Sequence, residues 1–153
     1  MMKRILLASA LTVVIYGAAT AQIFPPGYFG IDGIPVGCGP VFTEVHASLP
    51  DIALAVPAGM GAPPRILING PMFASLPTGV KLFIYAHECF HHITGPSEAA
   101  ADCYAVKLGR NQGALSLPVL QQICQAVFFS PGDWTHFPGP VRCQQMLACY
   151  HTP

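Results

Sequence analysis

One stretch, residues 87–102, constrains the fold more than any other, because it specifies two helices joined by a tight reversal. His87 and His91 are four residues apart, so on a helix their side chains lie on one face, one turn apart. Gly95-Pro96 then stops that helix. The connection to the next helix is too short for anything other than an antiparallel return of the chain.

The two histidines belong to the pattern H-E-x-x-H, which brings Glu88 next to both imidazoles. Nitrogens of His87 and His91 suit a tetrahedral Zn²⁺ ion that keeps one position open for water. Glu88 is then predicted to be the general base that takes a proton from this water. The sequence therefore predicts a zinc cofactor with hydrolytic chemistry.

Glu98 is the predicted third zinc ligand. Ser97 is a favourable N-cap, so Glu98 sits in the first turn of the second helix, and the return of the chain brings it near His91. Asp102 lies one turn further on the same face, where it can accept the spare N–H of a zinc-bound histidine. His92 points about 100° away from His91, and we expect it beside the site or at the surface.

An ordinary solvated helix face is the alternative explanation of the histidine pair, and acidic residues at 98 and 102 also suit a helix N-terminus. The distribution of residue types along the chain favours the metal site instead. The whole chain has seven Asp and Glu and six His, and three of each group fall within residues 87–102.

The pattern His87-Glu88-x-x-His91 followed by Glu98-x-x-Ala101-Asp102 resembles the gluzincin metallopeptidases. The similarity is greatest to the group that contains the prenyl-protein endopeptidase and the HtpX-type stress protease. That group also carries a Thr-His-Pro segment with a downstream arginine, to which Thr135-His136-Phe137-Pro138 and Arg142 are similar. The resemblance covers roughly residues 64–146 and implies a small zincin-like domain of the α+β class.

The chain departs from the group in two ways. Members usually have a much longer insertion between the second histidine and the glutamate, and often membrane helices, so this chain resembles a minimal, soluble member. Phe137 stands where proline is usual, which leaves two roles open for His136. The resemblance implies that His136 donates to the oxyanion that develops during hydrolysis, and the alternative is that it caps the next helix.

The N-terminus predicts export from the cell. Lys3 and Arg4 precede an apolar run, and Ala19-Thr20-Ala21 offers a cleavage site of the A-x-A type. The run is too short to span a bilayer comfortably, so residues 1–21 are predicted to be a cleaved signal peptide. Residues 22–153 then form one small periplasmic or extracellular domain with no stable membrane span. Without Lys3 and Arg4, acidic residues exceed basic ones, which gives no reason to expect a nucleic-acid partner.

Six cysteines fall in the predicted mature chain, and an even number in an exported domain indicates disulfides. Cys89 lies six residues before Gly95 and Cys103 eight residues after it. The two are therefore predicted to cross-link the helical hairpin. The alternatives are that one of them is a buried thiol or a metal ligand, although Cys89 projects away from the histidine face.

Elsewhere the patterns predict a mostly helical, disulfide cross-linked domain with a short strand or small sheet. The predicted long helices are residues 79–94, 97–110, 117–129 and 140–150. Val41–Leu49 is predicted as a further short helix, and residues 23–64 are expected to wrap the domain. Arg65–Asn69 is a predicted strand that either lines the cleft, where it can pair with an extended substrate, or is only a sheet edge.

Two classes of function follow from these patterns. The first is an exported zinc peptidase that acts on peptide or protein substrates. The second is a secreted zinc-bearing protein that keeps the ligands but binds a partner without hydrolysing it. Glu88 favours catalysis, since a ligand shell does not require that residue.

Overall fold

The computed structural model describes residues 21–127, 129–134 and 136–153. The predicted leader therefore lies outside the described residues, apart from Ala21. Within the described ranges the chain has a mixed α+β fold, as predicted, with five helices and two small sheets.

The strands are short and precede the helices along the chain. They are β1 (Gln22–Phe24), β2 (Phe29–Ile31), β3 (Ile34–Val36), β4 (Phe42–His46), β5 (Ala53–Val56) and β6 (Arg65–Asn69). The larger sheet has the order β1-β4-β6-β5, in which β4 and β6 are parallel and the other pairings antiparallel, while β2 and β3 form a separate hairpin. The segment expected to wrap the domain therefore builds most of the sheet.

The helices follow the sheet along the chain. They are α1 (Gly70–Ala74), α2 (Thr78–Thr94), α3 (Glu98–Asn111), α4 (Leu117–Val127) and α5 (Gly139–His151). Helix α2 packs against one face of the sheet, and α3, α4 and α5 pack on the other side of α2. The four long helices match the predicted segments to within two residues at each end. Across the described ranges, every helix is too short or too polar to serve as a transmembrane segment.

Helix α2 lies between the two apolar clusters of the molecule. Tyr85 and Cys89 face a cluster built on Ile66 and Ile68 of the sheet. Phe83 faces a second cluster formed by α3, α4 and α5. Because α2 is packed on both sides, it is a rigid support for the side chains it presents to the cleft.

The predicted helix at Val41–Leu49 is wrong, because Phe42–His46 forms strand β4. Alternate residues point to opposite faces: Thr43 contacts the Tyr85 hydroxyl on the helix side, whereas Glu44 is bonded to Arg65 on the other side. Parallel pairing with β6 satisfies the backbone of this segment. Tertiary pairing therefore decides a segment whose local pattern is ambiguous.

The predicted strand Arg65–Asn69 is present, but it lies in the middle of the sheet rather than at its edge. Strand β4 pairs with it on one side and β5 on the other. Its backbone groups are therefore used within the sheet, and it cannot pair with a substrate. The edge strand beside the cleft is β5, which contributes Ala53, Leu54 and Ala55 to the cleft wall.

The predicted Cys89–Cys103 disulfide is also wrong. The three disulfides are Cys38–Cys89, Cys103–Cys149 and Cys124–Cys143. Cys89 faces the cluster between α2 and the sheet, so it reaches the loop before β4 rather than α3. Cys103 is on a different face of the hairpin and reaches α5. Two cysteines at similar heights on adjacent helices cannot form a disulfide when their side chains point to different neighbours.

Candidate metal centre

Helices α2 and α3 bring His87, His91 and Glu98 together at the floor of an open cleft of about 560 Å³. The Nε2 atoms of His87 and His91 are 3.1 Å apart. The Glu98 carboxylate lies across both, with Oε2 2.9 Å from His87 Nε2 and Oε1 3.4 Å from His91 Nε2. The sequence predicts this convergence from the short turn alone.

Gly95 forms the turn and also orients His91. Its φ of 97° is a conformation that side-chain-bearing residues rarely adopt, and its N–H donates to the His91 carbonyl at the end of α2. The Gly95 carbonyl oxygen lies 3.0 Å from His91 Nδ1. Since a carbonyl only accepts, Nδ1 carries the proton and the Nε2 lone pair of His91 faces the cluster.

Asp102 performs the equivalent role for His87. Its Oδ1 atom lies 2.9 Å from His87 Nδ1. The two atoms are close, but their alignment is too poor for a hydrogen bond. Arg142 on α5 donates two hydrogen bonds to the same carboxylate, the one to Oδ1 being 2.7 Å long. Asp102 therefore connects α5 to the ring of His87.

The ionisable groups of the cluster shift one another's pKa values. Burial by itself lowers the pKa of His87, but Asp102 and Glu98 outweigh burial and raise this pKa to about 9 in the metal-free protein. Burial raises the pKa of each carboxyl group, yet His87 beside Glu98, and Arg142 beside Asp102, hold both pKa values below the ordinary range. The cluster thus stabilises a positive charge between His87 and Glu98.

A metal cation fits this set of donors. The Nε2 atoms of His87 and His91 converge on the Glu98 carboxylate, and in His91 the bond at Nδ1 directs the Nε2 lone pair toward it. Imidazole nitrogen and carboxylate oxygen are ligands that Zn²⁺ takes in proteins. The carboxylates of Glu98 and Asp102 give the site a negative character, which favours a cation at the converging donors.

His136 also reaches the cluster, from the loop between α4 and α5. Its Nε2 atom is 2.9 Å from Glu98 Oε2, and Asp133 holds the residue by accepting from its backbone N–H at 2.8 Å. One ligand atom each of His87, Glu98 and His136 lies within 4.8 Å of the others, so these three residues could hold a metal ion. His136 does not cap α5, because the N-cap is Pro138.

Glu88 lines the cleft beside the two histidines. Burial raises the pKa of its carboxyl group, and the neighbouring His87 and His91 offset only part of that rise. The backbone of Ala55 in the edge strand β5 partly offsets the rise as well, so this carboxylate lies near β5. The arrangement joins a proton acceptor, a candidate metal site and a sheet edge in one cleft.

Two contacts at the site could not be predicted from the sequence. His92 lies beside the cluster, where its Nε2 atom is 3.1 Å from the Arg65 carbonyl oxygen. Arg142 is part of the segment that resembles the gluzincins, but its partner Asp102 is 40 residues away in the chain. An arginine on a packed helix predicts that some acidic side chain pairs with it. Which acidic residue this is depends on how α5 packs on α3.

Comparison with protein-family models, with curated proteins and with solved structures found no match to this chain. The interpretation of the cluster therefore depends on its geometry and on the chemistry of its donors.

Proposed function

We propose that this protein is an exported zinc-dependent peptidase with a zincin-like domain. In this proposal His87, His91 and Glu98 hold Zn²⁺ and Glu88 is the general base. Zinc bound there would polarise the carbonyl of a peptide bond and lower the pKa of a water molecule. The observation that carries the proposal is the Glu88 carboxylate in the same cleft as the converging donors, because metal binding alone does not need it.

The chemistry of Glu88 suits proton transfer. A base that accepts a proton from water and returns it to the departing amine works best when its pKa approaches the working pH. Burial shifts the pKa of Glu88 in that direction. Glu88 lies on the packed helix α2, which supports its carboxylate beside the cluster.

The substrate class follows from the sheet edge. Strand β5 has β6 on one side only, and Ala53, Leu54 and Ala55 line the cleft. Unpaired backbone groups of an edge strand can bind an extended peptide as an additional strand. An extended or unfolded polypeptide segment is therefore the substrate we propose. Three disulfides support an oxidising compartment, the periplasm or the cell exterior, as the place of action.

The decisive experiment compares wild type with Glu88→Gln, which removes the base but keeps the helix, both imidazoles and Glu98. Zinc content is measured on the purified mature chain, and cleavage is measured by mass spectrometry on a broad peptide library. We expect one zinc per chain in both proteins and cleavage by wild type alone, abolished by a chelator. Equal cleavage by the two proteins, or none by fully zinc-loaded wild type, contradicts the assignment.

A second candidate is a non-catalytic zinc-bearing binding protein, and the position of His136 favours it. His136 Nε2 and His87 Nε2 each lie 2.9 Å from Glu98 Oε2. If His136 joins the other three residues, the shell has four protein ligands, which is the closed type found in structural zinc sites.

His136→Ala distinguishes the two candidates. For a peptidase with an open position, the variant still binds one zinc with little loss of affinity, and only its turnover falls. For a closed structural site, zinc affinity drops and neither wild type nor the variant cleaves peptides. His151→Ala is the matched control, because His151 is exposed at the end of α5.

A further inference from the structure

A recess of about 440 Å³ adjoins the candidate metal centre. Its walls come from residues 50–53, from α1 and the turn after it, from the face of α2 that precedes His87, and from the end of α4. The side chains that shape it are apolar: Met72, Leu76, Val80, Ile84, Ile123 and Val127. The recess therefore differs in chemistry from the open cleft that runs along β5.

The recess and the cleft meet at the proposed catalytic residues. His87, Glu88 and His136 line both cavities. An extended peptide directs successive side chains to opposite sides. A peptide that lies along β5 with a carbonyl group at the cluster can therefore direct a side chain next to that carbonyl into the recess.

The lining disfavours charged side chains. Apart from the residues of the cluster, the ionisable groups at the recess are Asp51 and Arg142. Arg142 is already bonded to the Asp102 carboxylate, and Asp51 is exposed to solvent. A charged side chain that entered this mostly apolar recess would lose part of its hydration, whereas an apolar one would be removed from water.

We propose that this recess is a specificity pocket that selects a large apolar side chain, such as Leu, Ile, Met or Phe, in a residue that flanks the cleaved bond. The inference rests on the proposed peptidase function, because a specificity pocket presupposes a bond that is cleaved. The binding preference itself depends only on the recess and on its continuity with the cleft.

Binding and cleavage are measured separately so that the two ideas can fail separately. Zinc-loaded Glu88→Gln is titrated with peptides acetyl-Ala-Ala-X-Ala-Ala-amide, where X is Leu, Phe, Ala, Asp or Lys, and affinity is followed by NMR. We expect X = Leu or Phe to bind about 10-fold or more tightly than X = Ala, and Asp and Lys to bind worst. In wild type, the preferred X should flank the cleaved bond.

Filling the recess provides the matched test. Ala126 lines the recess and is exposed, so Ala126→Trp occupies it without disturbing the core. Gln125→Trp adds the same side chain to the adjacent exposed position of α4 and is the control. Ala126→Trp should reduce the Leu-over-Ala preference to about twofold or less, and Gln125→Trp should retain it. Met72→Trp, at a second exposed wall position, replaces Ala126→Trp if that variant fails to fold.

Each outcome decides one of the two ideas. A Leu and Phe preference that Ala126→Trp removes supports the pocket, even if wild type cleaves nothing and the peptidase function is lost. Cleavage by wild type without an apolar preference keeps the function and overturns the pocket. Binding that is equal for all X, undetectable for all X, or insensitive to both filling variants also overturns it.

Discussion

At the scale of single residues, Asp102 is a buried carboxylate with two charged or polar neighbours. Its side chain is buried, and it faces His87 Nδ1 on one side and the guanidinium of Arg142 on the other. The charge of Arg142 keeps the carboxylate ionised, and the ionised carboxylate holds His87 with its Nε2 atom toward Glu98. Asp102 is thus placed to influence a metal at the proposed site through His87 rather than by direct contact.

Asp102→Asn should weaken zinc binding by about 10- to 100-fold, because the neutral amide orients His87 less firmly and makes it a weaker ligand. The dissociation constant is measured by competition with a chromogenic chelator. Asp51→Asn removes the same charge from an exposed carboxylate on the same cleft and should leave the affinity close to that of wild type. Equal affinities for wild type and Asp102→Asn would exclude this role.

At the scale of secondary-structure elements, an ion pair connects the β2–β3 hairpin to α2. Asp32 is in the hairpin turn with a φ of 50°, and its carboxylate accepts from Lys81 Nζ at 2.8 Å and from Thr78 Oγ1 at 2.6 Å. Lys81 is buried, so its ammonium group depends on this partner. The hydrogen bonds from Lys81 and Thr78 hold the pKa of Asp32 below its ordinary value of 3.8.

Asp32→Asn should destabilise the protein at neutral pH, and the effect should disappear in acid. A carboxyl group whose pKa is lowered by folding contributes stability above its unfolded-state pKa of 3.8, and this contribution is lost as the pH falls through the lower folded-state pKa. Asn tolerates the left-handed turn conformation, so the substitution changes mainly the charge. Urea unfolding of wild type and variant at pH 7 and in the range below 3.8 measures the difference.

A double-mutant cycle with Lys81→Met isolates the pair from other effects of each change. The coupling free energy should be present at pH 7 and absent in acid. A coupling that is the same at both pH values would assign the effect to packing rather than to the ion pair.

In the whole molecule, each disulfide reinforces one of the two apolar clusters, and none of the three joins one cluster to the other. Cys38–Cys89 ties the sheet side to α2, while Cys103–Cys149 and Cys124–Cys143 tie α3 and α4 to α5. Their sequence separations are 51, 46 and 19 residues, respectively. A cross-link that closes a longer loop restricts the unfolded chain more strongly.

Replacing Cys38 and Cys89 by Ala should therefore cost about 1 kcal/mol more free energy of unfolding than replacing Cys124 and Cys143. Both variants are unfolded in urea without metal, so that zinc binding does not add to the stability. An equal or larger loss for the shorter loop would show that local packing, rather than loop closure, dominates.

Local sequence rules sufficed for the helical hairpin and its histidine face. The spacing of His87 and His91 and the stop at Gly95-Pro96 depend on helix geometry and turn chemistry alone, which act over a few residues. The same rules located the four long helices, because their apolar positions recur with the helical period. The approach of Glu98 to the histidines followed for the same reason, since the turn leaves the chain no other course.

Tertiary structure decided everything that depends on which surfaces meet. The segment 42–46 became a strand because β6 offered it a parallel partner, and Cys89 paired with Cys38 because its face of α2 packs on the sheet. His136 and Arg142 reached Glu98 and Asp102 through the packing of α5 and the loop before it. Contacts between residues 38 to 51 positions apart leave no local periodicity or spacing in the sequence, so only the assembled core determines them.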